Sequence, residues 1–451
     1  MTETIDDEQA NEKFGRNLGL FGATNIGLGA MLGGGIYVIS GTAAGMIGPA
    51  LIFAYLFTGI LAMFTAANYA EMAGSIPKQG GGYTFVHDTI GGFPAFLTGW
   101  FMMIGNIVAC GLYALAVAYT LATFIPNGLQ YVVVIALGII CITFITNIIS
   151  IKSVSGVLSV FNLAQAVILF AFVAIGLQFV EPSNLIPFFA ENSKITDFVA
   201  TVALLYISFV GYNLVTAASE EIKNPAKNVP QAIFLTILIG TAVYMAASLV
   251  IVGVTHFTEV ADTFTPIADV FSVMLGSGGL VIGMAGMAAS NYAALNATFL
   301  AGARIVYSMG RDRFLPKSLN RISRKQKVPV AALILVFLLV SSFTLSADVL
   351  WVAQLSVFGY LIAQSIVNIS VIVLRRKGLS VPGTFKTPMY PVVPLVGFVT
   401  CVILIPSLDF FVLQMGGLLS VIGLGIFLIY GKRRNKTYIE LMNGETGITH
   451  P

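Results

Sequence analysis

The chain has 451 residues, of which 57% are hydrophobic and only 10% are charged, and its formal net charge is +3. A soluble domain carries about 25% charged residues, so a chain this apolar cannot cover a surface that faces water. The composition excludes a soluble globular protein and predicts one whose solvent is the lipid bilayer. The three cysteines, Cys110, Cys141 and Cys401, lie singly without metal-ligand spacing, so no metal or other cofactor is expected.

Twelve apolar runs account for most of the chain. A bilayer core roughly 30 Å thick needs about 20 apolar residues in a helix. Runs of that kind lie near residues 19–46, 49–73, 93–123, 130–150, 156–180, 195–219, 231–255, 272–308, 329–346, 348–374, 391–408 and 411–430. They predict an all-α membrane protein with twelve transmembrane helices, called spans 1 to 12 here, over residues 19–430. Residues 1–18 and 431–451 are then terminal tails.

The distribution of basic residues supports this count. If the N-terminus is cytoplasmic and each run crosses once, every Lys and Arg except Lys194 lies on the cytoplasmic side. Basic residues concentrate in cytoplasmic loops, so both termini are expected in the cytoplasm and the protein in the plasma membrane. The longest polar stretch, residues 309–328, then fits a solvated loop better than a nucleic-acid site.

Span 1 contains three consecutive glycines, Gly33, Gly34 and Gly35, near its middle. Each costs a helix about 1 kcal/mol relative to alanine, and lipid cannot satisfy the backbone groups that an unwound helix exposes. Close helix packing explains a pair of small residues spaced four apart, but it does not explain a triplet. We therefore expect an unwound segment whose N–H and C=O groups face a cavity.

Span 6 has a second weak point at its middle, where Gly211 follows the β-branched residues Ile207 and Val210. This signal is less specific than the glycine triplet, but its position in the chain supports the prediction of a second break. Span 6 is where the partner of span 1 would fall if spans 1–5 and 6–10 were inverted repeats, and paired interrupted helices point to the central site of a transporter.

The two interruptions together suggest a ligand. Free N–H groups and the positive end of a half-helix at the first break favour a carboxylate. Freed carbonyl groups at the second break favour an ammonium group. The pair would form a main-chain receptor for a zwitterion, which an α-amino acid is.

Four stretches resemble motifs of the amino acid–polyamine–organocation (APC) transporters. They are the run from Gly29 to Tyr37 in span 1, the run from Glu71 to Tyr83 after span 2, the run from Glu220 to Pro230 after span 6, and the stretch from Asn296 to Pro316 at the end of span 8. The resemblance covers about residues 18–430 and is specific as a set. It implies a LeuT-type fold with broken helices 1 and 6, with residues 19–180 and 195–374 as inverted repeats and residues 391–430 peripheral.

The resemblance also implies roles for individual residues. In span 1, the residues facing the substrate carboxylate would be Met31, Gly34 and Gly35. In span 6, carbonyl groups for the amino group would come from Ile207, Ser208 and Val210. The family often has an aromatic gate where this chain has Ile207, and some members have an acid where it has Asn213. Glu71, at the inner end of span 2, and Glu221 and Asn224, just after span 6, are expected at the inner gate or in its support.

Coupling is where the chain departs from its relatives. Some proton-coupled members carry a buried Lys in span 5, which can take up and release a proton; here that position is Gln165, which cannot titrate. Sodium-coupled LeuT-type proteins need ligands from spans 1 and 8, where this chain offers Ser290 and Thr298. Uniport, exchange and symport with H⁺ or Na⁺ all stay open.

The substrate class follows from the charges that are missing. Spans 1, 3, 6, 8 and 10 carry no ionisable residue at mid-membrane, so a charged side chain would find no countercharge and a neutral amino acid is favoured. Arg304, near the end of span 8, is expected to snorkel to the interface. A cationic amino acid or polyamine carrier, using external acids as a vestibule, is the alternative.

A function of another class needs groups that the spans do not provide. An intramembrane enzyme requires catalytic residues at depth, whereas His87, His256 and His450 are predicted in loops or the tail. A channel would not need paired helix breaks, which favour alternating access. The sequence therefore predicts a transporter and not an enzyme.

Overall fold

The computed structural model describes residues 18–76, 78, 80–149, 151–191, 193–323 and 328–432. Its α-helices are α1 Leu20–Met31, α2 Ser40–Ile47, α3 Leu51–Ser75, α4 Gly82–Thr89, α5 Gly92–Ala122, α6 Val132–Ile149, α7 Ile151–Gly176, α8 Ile195–Leu205, α9 Tyr212–Ala217, α10 Pro225–Val254, α11 Pro266–Arg311, α12 Val330–Thr344, α13 Val349–Arg376, α14 Val392–Leu404 and α15 Phe410–Ile426.

These helices confirm the predicted class. Within the described residues there is no strand, and the one extended pairing is an isolated parallel bridge between Leu18 and Ile222. Nine segments of this part of the chain are long and apolar enough to cross a membrane. The segment Leu20–Ser75 counts as one of them although it holds α1, α2 and α3, and α12 and α14 are shorter. The count of twelve spans stays a prediction.

Both predicted interruptions are present in the backbone. α1 ends at Met31, Leu32 leaves the helical region with ψ 40°, and a π-helical turn from Gly35 to Ile39 leads into α2. α8 ends at Leu205 and continues as a 3₁₀ turn over Tyr206–Phe209. Val210 is extended, with φ −77° and ψ 106°, before α9 begins at Tyr212.

The helices pack in two groups. In the first, α10 lies against α1 and α3, and α9 also contacts both. In the second, α5 packs on α6, α11 and α12, which contact one another. The groups meet where α1 crosses α11, so each helix break faces a neighbouring helix and not lipid.

The outer surface is apolar. Large hydrophobic side chains are exposed on the outer helices, among them Val134, Leu163, Phe170, Ile403 and Val421. Water does not tolerate an apolar surface this extensive on a monomer, so these side chains face lipid.

Two features differ from the sequence prediction. α4 was not predicted, because an eight-residue helix is far below the length needed to span a bilayer; it places His87 in a helix and not in a loop. α11 is longer than the predicted run 272–308 and changes direction at Gly276, whose φ of 64° and ψ of −150° suit glycine.

Candidate functional site

The two helix breaks touch each other. A Cβ atom on Gly35 would lie 1.9 Å from Ser208 Oγ and 2.6 Å from Ser208 Cα. A Cβ atom on Gly211 would lie 2.8 Å from the backbone nitrogen of Met31. Real Cβ atoms do not approach other atoms this closely, so glycine at both positions is what allows the two main chains to meet.

Tyr244 joins the two breaks. This residue of α10 is fully buried, and its single hydroxyl hydrogen is shared between the carbonyl oxygens of Met31 and Ser208, the latter 2.8 Å from the hydroxyl oxygen. A buried tyrosine hydroxyl needs a polar partner, and here it holds the ends of two half-helices together. Sequence reasoning missed this residue, which is the single tyrosine of span 7.

Residues of α11 and α5 form the facing wall. Ser290, considered as a sodium ligand from sequence, donates its hydroxyl to the carbonyl oxygen of Leu32 at 2.5 Å. Asn291 Oδ1 would lie 2.9 Å from a Cβ atom on Gly34, and the Tyr113 ring 3.1 Å from it. Gly33 faces Ala294 of α11, and a Cβ atom on Gly33 would lie 3.2 Å from the Ala294 Cβ.

Asn291 has an unused acceptor at this wall. Its side chain is fully buried, and its amide nitrogen donates to the carbonyl oxygen of Met287 at 2.8 Å. Its Oδ1 atom has no hydrogen-bond donor among the described residues. A buried acceptor left without a donor costs about 1–3 kcal/mol, so this oxygen is suited to accept a hydrogen bond from a bound ammonium group. Asn291 was also missed from sequence.

The predicted substrate-binding residues lie in or next to the two breaks, with two exceptions. The Met31 side chain packs toward α10, where its Cε would lie 2.0 Å from a Cβ atom on Gly240, so only its main chain reaches the break. Asn213 lines a separate cavity, described below. Gly35 meets Ser208 and Gly211 meets Met31 where the breaks touch, whereas Gly33 and Gly34 face α11 and α5. These four glycines, together with Ile207, Ser208 and Val210, are buried.

The carbonyl groups of the second break are partly occupied. The Ile207 oxygen accepts from the Val210 N–H at 3.1 Å, and the Ser208 oxygen accepts from Tyr244. A carbonyl oxygen has two lone pairs, so each retains capacity for a second donor.

Gln165 lies against the first break. It is 1% exposed, and its Nε2 donates to the carbonyl oxygen of Gly29 at 3.2 Å. Tyr37 from the far side of the break donates its hydroxyl to the Gln165 carbonyl oxygen at 3.3 Å. The glutamine amide thus supplies a neutral donor to the main chain of α1.

A cavity of about 240 Å³ lies below the breaks, on the side where α1 begins. Its polar lining residues are Asn106, Asn213, Glu221 and Arg304, and we call it the inner cavity. A larger groove of about 430 Å³ beside α3 and α10 has Thr241 as the one polar side chain in its lining. That groove offers no group that could hold a zwitterion. Within the described residues no cluster of His, Cys, Asp or Glu could bind a metal.

The comparisons with known proteins show the family of this chain. The chain matches the family described as amino acid permease over residues 18–427. The chain belongs to the amino acid permease family. It is 28% identical to the branched-chain amino acid permease of Bacillus subtilis (strain 168), covering 93% of this chain and 94% of that protein. These matches place the permease in the APC superfamily, as the motifs indicated.

Other relatives of the permease carry different names. The methylthioribose transporter of Bacillus subtilis (strain 168) is also 28% identical, over 96% of this chain and 97% of that protein. The vacuolar cationic amino acid transporter 4 of Arabidopsis thaliana is 27% identical over 78% of this chain and 62% of that protein. Identity at this level therefore does not select the substrate.

The Asn224-Pro225 motif of the permease is explained by helix geometry. Asn224 adopts a left-handed conformation, with φ 46°, and its carbonyl oxygen accepts from the N–H groups of Lys227 and Asn228. Pro225 is the first residue of α10, where a proline needs no hydrogen-bond partner. Asn224 therefore starts α10 and does not reach the breaks.

Glu71 holds three parts of the permease together. Its carboxylate, which is fully buried, accepts two hydrogen bonds of 2.7 Å from Arg375 of α13 and one of 2.8 Å from the Thr387 N–H. Arg375 also donates to the Thr387 carbonyl oxygen at 2.8 Å and lies over the Tyr390 ring. This pairing ties α3 to α13 and to the segment before α14, so Glu71 has a supporting role.

We expect Glu71→Gln to destabilise the permease by about 3 kcal/mol, because it leaves the Arg375 guanidinium without its counter-charge. Thermal unfolding of the purified protein in detergent would measure the change. Glu259→Gln, at an exposed position, is the control and should leave the melting temperature unchanged. Equal melting temperatures for the two variants would show that the Glu71–Arg375 ion pair adds nothing to stability.

Proposed function

We propose that the permease carries neutral amino acids across the plasma membrane by alternating access, with twelve spans in a LeuT-type arrangement and both termini in the cytoplasm. The observation that carries the proposal is the contact between the two helix breaks, with Gly35 against Ser208 and Gly211 against Met31. Main-chain groups from two half-helix ends then converge at one point.

The ends of the substrate are assigned by the polarity of these groups. N–H groups at the glycine triplet and the start of the following helical turn favour a carboxylate. The carbonyl groups of Ile207, Ser208 and Val210, together with Asn291 Oδ1, favour an ammonium group. An α-amino acid carries both ends on one carbon atom, and this suits a site formed by two adjacent breaks.

The surroundings favour an apolar side chain on the substrate. Tyr113, Ile207, Val210 and Ala294 are buried at or beside the breaks, and none is charged. The relative from Bacillus subtilis named a branched-chain amino acid permease supports the same substrate class. A cationic substrate, as in the name of the more distant Arabidopsis thaliana relative, would lack a countercharge at these residues.

The mode of transport is proposed to be uniport or exchange. Gln165 donates to Gly29 with a neutral amide, and an amide does not take up or release a proton in the physiological range. Ser290 spends its hydroxyl hydrogen on Leu32. The first contact supports a mode without a proton-carrying side chain at this position, and imposed ion gradients test sodium coupling.

Uptake into proteoliposomes tests the proposal. Labelled leucine should enter vesicles that contain the purified permease, and unlabelled leucine, isoleucine and valine should compete best among the twenty amino acids. Imposed proton or sodium gradients should not drive accumulation, whereas internal substrate should accelerate uptake. Stronger competition by arginine or a polyamine would favour the alternative substrate class, and no competition by any amino acid would contradict the proposal.

The inner gate is proposed to include the pairing of Leu18 with the loop between α9 and α10. The Leu18 N–H donates to the Glu221 carbonyl oxygen at 3.1 Å, and the Lys223 N–H donates to the Leu18 carbonyl oxygen at 2.8 Å. The pairing attaches the start of α1 to the loop that carries Glu221, and both α1 and this loop line the inner cavity.

We expect a disulfide between cysteines introduced at Leu18 and Ile222 to lower turnover at least about tenfold while leaving equilibrium affinity for substrate unchanged. Neighbouring residues of a strand pair lie within the range that a disulfide can join. Exchange would be measured before and after reduction, and each single cysteine variant serves as a control. Normal turnover of the oxidised double variant would show that this pairing does not move during transport.

A further inference from the structure

The inner cavity contains two opposite charges that do not pair. Arg304 of α11 and Glu221 both line it. No ion pair within 4 Å joins them, and neither side chain has a hydrogen-bond partner among the described residues, although the two charges attract through space. The sequence predicted that Arg304 would snorkel to the lipid interface; instead it is exposed within this cavity.

Two opposite charges that line one cavity without pairing require an explanation. Ionisable residues in membrane-spanning helices are costly and are found where they serve a pathway or a ligand. Arg304 and Glu221 face the same space of about 240 Å³, so a ligand that enters the cavity meets both. Asn213 adds a buried Oδ1 acceptor with no donor in the described part of the chain.

We propose that the inner cavity is a second binding site for the zwitterionic head group of the amino acid, on the cytoplasmic side of the breaks. Arg304 would bind the carboxylate, and Glu221 and Asn213 would accept hydrogen bonds from the ammonium group. The assignment rests on the proposed function, since it takes the transported amino acid as its ligand.

The two opposite charges select a zwitterion over simpler ligands. A lone anion would gain from Arg304 but would be repelled by Glu221, and a lone cation would meet the reverse. A guanidinium binds a carboxylate with two parallel hydrogen bonds, and a carboxylate accepts readily from an ammonium group. The volume lies below the range of about 300–1,000 Å³ usual for drug-sized ligands, so it suits a small metabolite.

The position of the cavity gives the site a direction. Ile26 and Leu214, which belong to the half-helices α1 and α9, line it together with the loop residues Gly80 and Gly81. Substrate leaving the breaks toward the cytoplasm would pass through it. The two charges should therefore affect affinity measured from the cytoplasmic face far more than affinity measured from the outside.

Exchange kinetics in vesicles of one orientation test this directly. The half-saturating concentration of leucine would be measured from each face for the unaltered permease, Arg304→Gln and Glu221→Gln. Each variant should raise the half-saturating concentration at the cytoplasmic face about tenfold, which corresponds to the loss of one charge-assisted hydrogen bond. The half-saturating concentration at the external face should change less than about twofold. Arg376→Gln and Glu259→Gln, at exposed positions outside the cavity, should change neither.

Substrate analogues keep the test decisive if Arg304→Gln does not fold. Leucinamide lacks the carboxylate, so its weak inhibition from the cytoplasmic face should be unaffected by Arg304→Lys and reduced by Glu221→Gln. The second site would be overturned if Glu221→Gln left leucinamide inhibition and the cytoplasmic half-saturating concentration of leucine unchanged, or if the variants changed the leucine values equally from both faces. Absence of leucine exchange by the unaltered protein would instead overturn the proposed function.

Discussion

Gly35→Ala is expected to lower uptake about 100-fold or more, although the substitution adds a single methyl group. The new Cβ would fall 1.9 Å from Ser208 Oγ and 2.6 Å from the Ser208 backbone, so the two breaks would have to separate. Displacing binding groups by about 1 Å can reduce activity by that factor. Binding of labelled leucine to the purified variant would measure the loss without the complication of transport rate.

Gly138→Ala is the matched control for this variant. Gly138 lies in α6, and a Cβ atom there would meet nothing within 4 Å. Both variants should insert into the membrane and elute from a size-exclusion column as the unaltered protein does. The control should bind leucine normally. If Gly35→Ala bound leucine as tightly as Gly138→Ala, the breaks would not form the substrate site.

The second large effect is expected at Gln165, where a lysine should convert the permease into a proton-dependent carrier. Exchange by the unaltered protein should be nearly independent of pH between about 5 and 8, because Gln165 contacts Gly29 through a neutral amide. A buried lysine releases its proton at a much lower pH than an exposed one. Gln165→Lys should therefore give a sloping pH profile and accumulation driven by an inward proton gradient.

Gln178→Lys separates this effect from a general effect of added charge. Gln178 is exposed just beyond the end of α7, where a lysine stays charged over the whole range, so its profile should remain flat. A steep profile for the unaltered protein would show that another group carries a proton. Glu221, which lines the inner cavity, would then be the first candidate, because the Glu71 carboxylate is held by Arg375.

The helix breaks were predictable because their cause is local. Three consecutive glycines weaken a helix wherever they occur, and the structure ends α1 at Met31, with Leu32 between it and the first glycine. Gly211 carried a weaker signal, yet its backbone break also lies where the sequence placed it. Residue-by-residue contacts with a substrate stay a prediction, apart from the side chain of Met31, which turns toward Gly240.

The contacts that the sequence did not predict join helices that are distant in sequence. Tyr244 reaches Met31 across 213 positions of the chain, and Ser290 reaches Leu32 across 258. Neither contact leaves a periodic or motif signal. Arg304 was misplaced for the same reason, since its helix alone does not reveal that its inner end borders a cavity and not lipid.

Equilibrium binding to the purified permease in lipid nanodiscs tests the main-chain zwitterion site most directly. Labelled leucine would be displaced with leucine, with leucinamide, which lacks the carboxylate, and with 4-methylpentanoate, which lacks the ammonium group. We expect leucine to displace the label and both single-ended analogues to fail even at about 100-fold excess, a discrimination of roughly 2.7 kcal/mol. Displacement by either analogue, or by methylthioribose, at concentrations close to that of leucine would contradict a site built to hold both ends of an amino acid.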